Sequence, residues 1–335
     1  MMYQRIVISQ TGGPDVLQMG EAPLPAPAHG EVRVRVLAAG VAFADLLARK
    51  GKYPGAPALP FTPGYDLVGI VDAVSDTGSA FQPGQMVAAL LPHFGGYTEM
   101  ACVPEAWLVA VPEGLQPERA VSVVLNYLTA HRLLHHSAKV KSGERILVHS
   151  AAGGVGTALL QLGQLAQLEM YGTASRPKHG LVARYGALPI DYRHDDVVER
   201  ISELTRDGVD AVFDAVGGET LKQSYTVLRR GGRLVSYGFA GVADQGLPAF
   251  LASFGRLFVY QFAPDGKQAM FYGSTPTLVT SDPIWYRETL CHLFDLLARG
   301  LIDPVVGVVL PLEQAAQAHS RLEQGKVQGK IVLTP

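Results

Sequence analysis

Seven residues, Ser150, Ala151, Ala152, Gly153, Gly154, Val155 and Gly156, follow the apolar run Ile146, Leu147, Val148 and lead into a helical pattern. A tight turn of this kind, between a strand and a helix, brings backbone N–H groups and a helix N-terminus against a pyrophosphate. Gly153 permits close approach of the backbone, and Gly156 lets the helix pack on the strand. Ala151 stands where G-x-G-x-x-G has its first glycine, so the bare motif fails; the strand before and the helix after supply the context. A plain strand–helix connection is the alternative reading, and dinucleotide binding is the expectation.

The next strand chooses the dinucleotide. An Asp or Glu at its end would accept from a ribose 2′-hydroxyl and repel a 2′-phosphate. Here Ser175, Arg176 and Lys178 stand at that end. A guanidinium pairs with phosphate through charge-assisted hydrogen bonds and an ammonium adds a point charge, so the expected cofactor is NADPH. Solvated loop cations are the competing explanation.

These residues need elements to hold them. Val32, Val34 and Val36 alternate with Glu31, Arg33 and Arg35, which predicts a half-buried strand. A short helix is expected over 42–49 and a buried strand over 65–74. Gly and Pro turns between short strands argue for a barrel-like module in the first third. From residue 117 the pattern changes. A helix over 118–136 and a strand over 144–149 precede alternating helices and strands: 157–167, 169–173, 178–185, 189–191, 197–205, 210–214, 219–228 and 233–238. That alternation implies a parallel sheet covered on both faces. The apolar stretch 247–262 reads as a helix on the sheet or an oligomer contact. A helix over 286–299 and a strand over 330–333 close the chain.

Composition limits the function classes. The 335 residues suit two domains; hydrophobic residues make up 48%, charged residues 17%, and the net charge is −2. That balance offers no field for nucleic acid or an anionic membrane. Two cysteines, Cys102 and Cys291, make neither a disulfide framework nor a four-cysteine zinc lobe, and Cys102 reads as a small buried hydrophobe. No signal-peptide pattern or membrane-length apolar run is present, and a cytoplasmic protein is expected.

The stretches 40–45, 49–54, 63–66, 95–99, 126–130, 150–156 and 329–333 together resemble the medium-chain dehydrogenase/reductase superfamily, in its zinc-independent, quinone-oxidoreductase-like branch, over essentially the full length. The resemblance implies an α/β chain with a GroES-like β-barrel catalytic domain (1–125), a Rossmann doubly wound parallel-sheet domain for NADPH (126–275), and a return to the catalytic domain (276–335). Zinc enzymes of the superfamily place a cysteine where Ala42 stands and a His-Glu pair at Tyr65-Asp66, so no metal is expected. His135 and His136, adjacent on a helix, point apart and belong on the surface.

Without zinc, hydride addition to a plain carbonyl lacks its Lewis acid. Conjugate addition to an enone or enal spreads charge into an enolate, and a quinone accepts hydride by becoming aromatic. The expected activity is therefore NADPH-dependent reduction of a quinone or of an activated C=C bond. An enoyl-thioester reductase, a non-catalytic NADPH binder and a zinc alcohol dehydrogenase stay open as alternatives.

The resemblance also assigns roles. Tyr53 matches the tyrosine proposed as proton donor in enoyl-thioester reductases, or else packs the pocket wall. Asp45 is the second catalytic candidate, or a loop anchor. Ala42, where quinone reductases commonly carry asparagine, implies a more apolar pocket. Cofactor contacts are implied for Asn126 and Thr129 on the linking helix, for Ala152, Gly153, Gly154, Val155 and Gly156, and for Ser175, Arg176 and Lys178. Tyr192 matches the tyrosine near the adenosine phosphate. Val216 and Gly217 line the nicotinamide ribose; Tyr237, Gly238 and Phe239 reach the cleft; Phe271, Tyr272 and Gly273 meet the carboxamide. Lys330 approaches the cofactor phosphates or caps the domain junction. A homodimer is expected, through the sheet edge near Phe271.

Overall fold

The computed structural model describes all residues except Asp76, Thr77 and Asp244, and the backbone alone of Leu247. It divides into two compact units, Met1–Leu128 with Ser274–Pro335, and Thr129–Gly273. The first division falls inside the helix Pro117–His131.

Along the chain the first unit supplies β1 (Met2–Ile8), β2 (Leu17–Pro23), β3 (Glu31–Val41), β4 (Asp66–Val74), β5 (Met86–Leu90), β6 (Met100–Pro104) and β7 (Leu108–Ala110). The second supplies β8 (Arg145–Val148), β9 (Glu169–Thr173), β10 (Ala187–Ile190), β11 (Val209–Asp214), β12 (Leu228–Ser236) and β13 (Gln268–Phe271). The chain then returns with β14 (Val306–Pro311) and β15 (Lys330–Thr334).

The first unit is built on a seven-stranded sheet ordered β14-β15-β3-β4-β5-β7, with β6 also paired to β3. Its alternation sets the faces: Val32, Val34 and Val36 are buried at 0%, 0% and 3% exposure, while Arg33 reaches out to Asp72 at 2.6 Å. The return strand β15 pairs antiparallel with β3, Ile331 opposite Val41 and Leu333 opposite Ala39. The last residues of the chain thereby complete a sheet begun at its start.

The second unit is a six-stranded parallel sheet ordered β10-β9-β8-β11-β12-β13. The chain winds outward from β8 to β10, then restarts beside β8 with β11. All six carboxyl ends lie on one edge, and the order reverses beside β8, where open parallel sheets bind ligands.

Several bounds shift from the sequence expectation, and two of the shifts matter for the site and the core. The helix Gly154–Leu165 begins inside the glycine turn, three residues early, so the turn itself supplies the helix N-terminus. The helix expected to reach residue 136 leaves α geometry at His131 and continues as a π-turn over Arg132–Ser137. The wider turn buries both Leu133 and Leu134, each at 0% exposure. Among the described residues no helix is long and apolar enough to cross a membrane.

Candidate active site

In the second unit the glycine turn has the geometry a pyrophosphate needs. A Cβ on Gly156 would stand 2.3 Å from the Ser150 carbonyl oxygen and 2.8 Å from Ala151 backbone atoms. Only glycine allows the helix to start that close to β8. Ala151 is tolerated for two reasons. The left-handed residue of the turn is Ser150, at φ 55°, so residue 151 needs no glycine conformation. Its methyl group also occupies space left by Gly172 on β9, where an added Cβ would come within 2.7 Å of it. The exception to the motif is compensated one strand away.

Arg176 is exposed just past β9, with Ser175 and Lys178 half-buried beside it. Burial, and then the Arg193 charge, pull the Lys178 ammonium below its ordinary range. Arg193, from the loop after β10, is close enough for its charge to bear on Lys178. The Arg193 guanidinium lies 5.7 Å from the Tyr192 ring centroid, so both exposed residues border this cationic edge. An anion carrying more charge than a pyrophosphate alone suits such a set, and the residues fit a 2′-phosphorylated dinucleotide.

The other expected cofactor residues of this unit also fall at or just beyond the strands' carboxyl ends. Val216 and Gly217 follow β11, held by Asp214, whose Oδ1 accepts from both their N–H groups at 2.7 and 2.9 Å. Asp214 is fully buried and its Oδ2 accepts from the Ser224 hydroxyl at 2.7 Å. Tyr237, Gly238 and Phe239 follow β12. Gly217, at φ 75°, touches the Phe239 ring where a Cβ would stand, which interlocks the two loops. The Phe239 side chain itself is spent on packing, 4.7 Å from Phe254 and 5.4 Å from Phe271 between ring centroids. Phe271 ends β13, with Tyr272 and Gly273 next.

His149, at the end of β8, escaped the sequence reading. Its Nδ1 lies 3.1 Å from the Thr173 hydroxyl, which also accepts from the Ser150 N–H. Burial holds its imidazole below the usual range, so it is neutral. It buttresses the entrance of the glycine turn; no glycine pattern marks such a residue.

In the first unit the structure corrects Asp45. Its side chain has no exposure; its oxygens accept from the Ala42 N–H at 2.8 Å, the Gly64 N–H at 2.9 Å and the Tyr97 hydroxyl at 3.2 Å. It therefore ties the start of the helix Phe43–Arg49 to the segment before β4, and is a structural anchor in place of a catalytic group.

Asp66 and Lys330 form a second buried centre. Lys330 Nζ lies 2.8 and 3.2 Å from the two carboxylate oxygens, and both side chains are essentially without exposure. Gly40 makes the room: a Cβ there would strike both side chains. Lys330 is thus no free surface cation. Two of its three N–H donors go to Asp66.

Tyr53 is half-buried and packed edge-on by Tyr65 and Phe94, with ring centroids at 6.0 and 5.9 Å. Tyr65 is buried, at 3% exposure, and burial pushes its hydroxyl well above the ordinary range. Ala42 contributes no ligand atom here, and Asp66 is neutralised. Among the described residues no group of three or more His, Cys, Asp or Glu side chains is placed to hold a metal ion. Of the linking-helix residues, Asn126 and Thr129 are both buried, at 6% and 7% exposure, and belong to different units. His135 and His136 are exposed, yet both rings approach His131, at 4.6 and 6.2 Å; the π-turn removes the divergence expected of an α-helix. Cys102 is only half-buried.

Tyr97 joins Asp45 to His319, whose Nε2 is 3.2 Å from the Tyr97 hydroxyl. Burial, then the Arg49 charge, drives the His319 imidazole down to about 3; burial lifts the Asp45 carboxyl to about 7 against its hydrogen bonds. The two oppose each other in stability. His319 contributes stability present above 6.5 and lost as pH falls toward 3. Asp45 contributes stability present below 3.8 and lost as pH rises through 7. Their slopes cancel between about pH 4 and 6.5. We expect the variant His319→Gln to unmask the Asp45 slope, losing roughly 1.4 kcal/mol per pH unit across that window. Urea denaturation at pH 4.5 and 6.5 checks it; equal midpoints in the variant would contradict the assignment.

Comparison with known proteins fits this geometry. The family described as alcohol dehydrogenase GroES-like domain matches residues 28–113, and that described as zinc-binding dehydrogenase matches 185–333. The chain is 34% identical over 340 residues to a quinone oxidoreductase of Pseudomonas aeruginosa, covering 100% of both. It is 34% identical over 339 residues to the synaptic vesicle membrane protein VAT-1 homolog of Rattus norvegicus, covering 98% of this chain and 83% of the relative. The crystal structure of Escherichia coli quinone oxidoreductase complexed with NADPH superposes with a TM-score of 0.89 at 30% identity, covering 99% of this chain and 100% of that one. With a GroES-like unit, a doubly wound parallel sheet and full-length relatives of this kind, the chain belongs to the medium-chain dehydrogenase/reductase superfamily, in its quinone-oxidoreductase-like branch.

Proposed function

We propose that this protein is an NADPH-dependent oxidoreductase that reduces a quinone, or the activated C=C bond of an enone or enal, without zinc. The observation that carries the reading is the parallel-sheet edge where a glycine turn meets Arg176, Lys178 and Arg193. NADPH, when bound, supplies a hydride. The chain's own residues hold the cofactor and deliver the proton: backbone N–H groups of the turn take the pyrophosphate, and the cations after β9 and β10 take the 2′-phosphate. Asn126 and Thr129 serve the nicotinamide side.

Tyr53 is the proton donor. Its hydroxyl gives a proton to the enolate carbon, or to a quinone oxygen, as the O–H bond breaks and a phenolate is left. Zinc is not needed for charge of this kind, and the donor set argues against it. Ala42 has no ligand atom, Tyr65 is a buried phenol that keeps its proton, and Asp66 is balanced by Lys330.

The second-unit sheet ends at β13, whose outer edge has no partner strand among the described residues. Beside it the helix Leu247–Gln261 exposes Leu251, Phe258 and Val259. A second copy adding its own β13 would pair that edge and cover those apolar side chains, so we read the protein as a homodimer. The free thiols Cys102 and Cys291 suit a reducing, cytoplasmic compartment.

The test is steady-state turnover of NADPH or NADH with 1,4-naphthoquinone, hex-2-enal and ethanol. We expect the quinone or enal to be reduced with NADPH preferred. Removing both cations (Arg176→Ala with Lys178→Ala) should raise KM for NADPH about 100-fold and leave that for NADH nearly unchanged. Alcohol oxidation restored by added zinc, with no quinone or enal turnover, overturns the reading.

A further inference from the structure

We infer that Phe94 is a positioning residue for the reaction: a left-handed backbone turns its ring inward, where it stacks on Tyr65 and forms the wall that sets the place of Tyr53. The inference rests on Tyr53 being the proton donor and adds a residue to that step.

Phe94 is the centre of an aromatic cluster in the first unit. Its ring centroid lies 4.0 Å from that of Tyr65 at 34°, 5.6 Å from Phe61 at 57° and 5.9 Å from Tyr53 at 85°. Tyr53 is also 6.0 Å from Tyr65, so it abuts the side of the Phe94–Tyr65 stack and meets both rings at once. The near right angle to Phe94 is an arrangement that aromatic pairs favour. Phe61, Tyr65 and Phe94 are buried, at 9%, 3% and 6% exposure, whereas Tyr53 is half-buried. Three enclosed rings thus back one that reaches solvent. Tyr53 sits in the bend after the helix Phe43–Arg49, where its carbonyl accepts from the Ala56 N–H at 3.2 Å. That backbone places the residue; the stack decides where its ring lies.

The backbone of Phe94 shows that this placement is imposed. Its φ is 65°, and Gly95 follows at 110°. Glycine adopts such values freely, but for a bulky side chain they are an outlier. The chain cannot relax out of the turn, because both ends are tied to the segment before β4. The Leu91 N–H donates to the Tyr65 carbonyl at 2.6 Å, the Gly96 N–H to that of Gly64 at 3.0 Å, and the Tyr97 N–H to that of Pro63 at 2.9 Å. Strained residues of this kind persist only where their surroundings over-determine them, and they gather at active sites. Here the strained turn delivers a ring to the side of Tyr53. A proton donor must come within hydrogen-bond reach of the atom it serves, so a Tyr53 ring free to shift would deliver its proton less often. Phe94 exchanges no atom with substrate.

Two substitutions test it in the full-length enzyme with NADPH and hex-2-enal. Phe94→Met keeps apolar volume without a flat ring, and Phe94→Gly frees the backbone and empties the space. We expect each to lower kcat about 10-fold and leave KM for NADPH unchanged. Each should also raise the solvent deuterium isotope effect on kcat, because proton delivery becomes the slower step. Circular dichroism and the urea midpoint certify the fold of the methionine variant, the milder of the two. Tyr53→Phe should lower kcat about 100-fold, and adding Phe94→Met to it should cost nothing more. A further 10-fold loss in that double variant means that Phe94 does not act through Tyr53, and overturns the inference. A loss with Gly but none with Met marks packing alone and overturns it too. So does native kcat in both while Tyr53→Phe is impaired, which leaves the donor assignment standing. Native kcat in Tyr53→Phe removes the donor and the inference together.

Discussion

Replacing Lys330 by methionine is expected to destabilise the protein by about 3–5 kcal/mol, the cost of leaving a buried charge uncompensated. Lys330 and Asp66 are buried to 3% and 0% exposure, with contacts of 2.8 and 3.2 Å. The carboxylate also accepts from the Leu125 N–H at 3.3 Å, a long bond that does little to hold an ion away from water. Gly40 leaves no slack, since its Cα approaches both side chains so closely that no methyl group fits. Removing both charges, D66N with K330M, should recover most of the loss, because the penalty belongs to the unpaired ion more than to the absent pair. Chemical denaturation followed by circular dichroism reads both. A K330M protein within 1 kcal/mol of native would show that water or another cation reaches Asp66, contrary to the structure.

What the sequence made legible was local. Valines alternating with charges between Glu31 and Val36 announced a strand with one buried face, and the apolar run Glu169–Thr173 appears as β9 with those bounds. Periodicity carries such information because neighbours in sequence share one backbone geometry. The glycine turn was legible for the same reason, though the cause of its tolerated alanine was not. That lies in Gly172 on another strand, and in a left-handed Ser150 that no spacing rule announces. The residues whose two readings the sequence left open depend on distant partners. Asp45 read as a catalytic group or a loop anchor, and its oxygens are taken by Gly64 and Tyr97. Lys330 read as a phosphate contact or a cap on the domain junction, and its ammonium meets Asp66, 264 residues earlier. Tyr65 entered the reading only as a place where a metal ligand is missing; its ring packs against Tyr53 and Phe94. Chemistry made by two side chains from separate segments leaves no mark in either segment alone.

Gly156→Val is expected to abolish NADPH binding, weakening it more than about 100-fold, the equivalent of roughly 3 kcal/mol. The Cβ would stand 2.3 Å from the Ser150 carbonyl and 2.8 Å from two Ala151 backbone atoms, and none of these is the tip of a side chain that could turn away. The helix Gly154–Leu165 must then retreat from β8, carrying with it the N–H groups aimed at the pyrophosphate. The loss is geometric, so adding salt or exchanging NADPH for NADH should not repair it. A graded comparison separates this from general damage to the turn. Gly153 has ordinary φ, −82°, and its Cβ would stand 3.2 Å from the same carbonyl, a contact that a shift of a few tenths of an ångström relieves. Gly153→Ala should therefore keep the fold and lose far less affinity. Titrating cofactor fluorescence against both variants gives the order directly. Equal losses, or a Gly156→Val protein that binds NADPH as the native one does, would mean that the pyrophosphate lies elsewhere than on this turn.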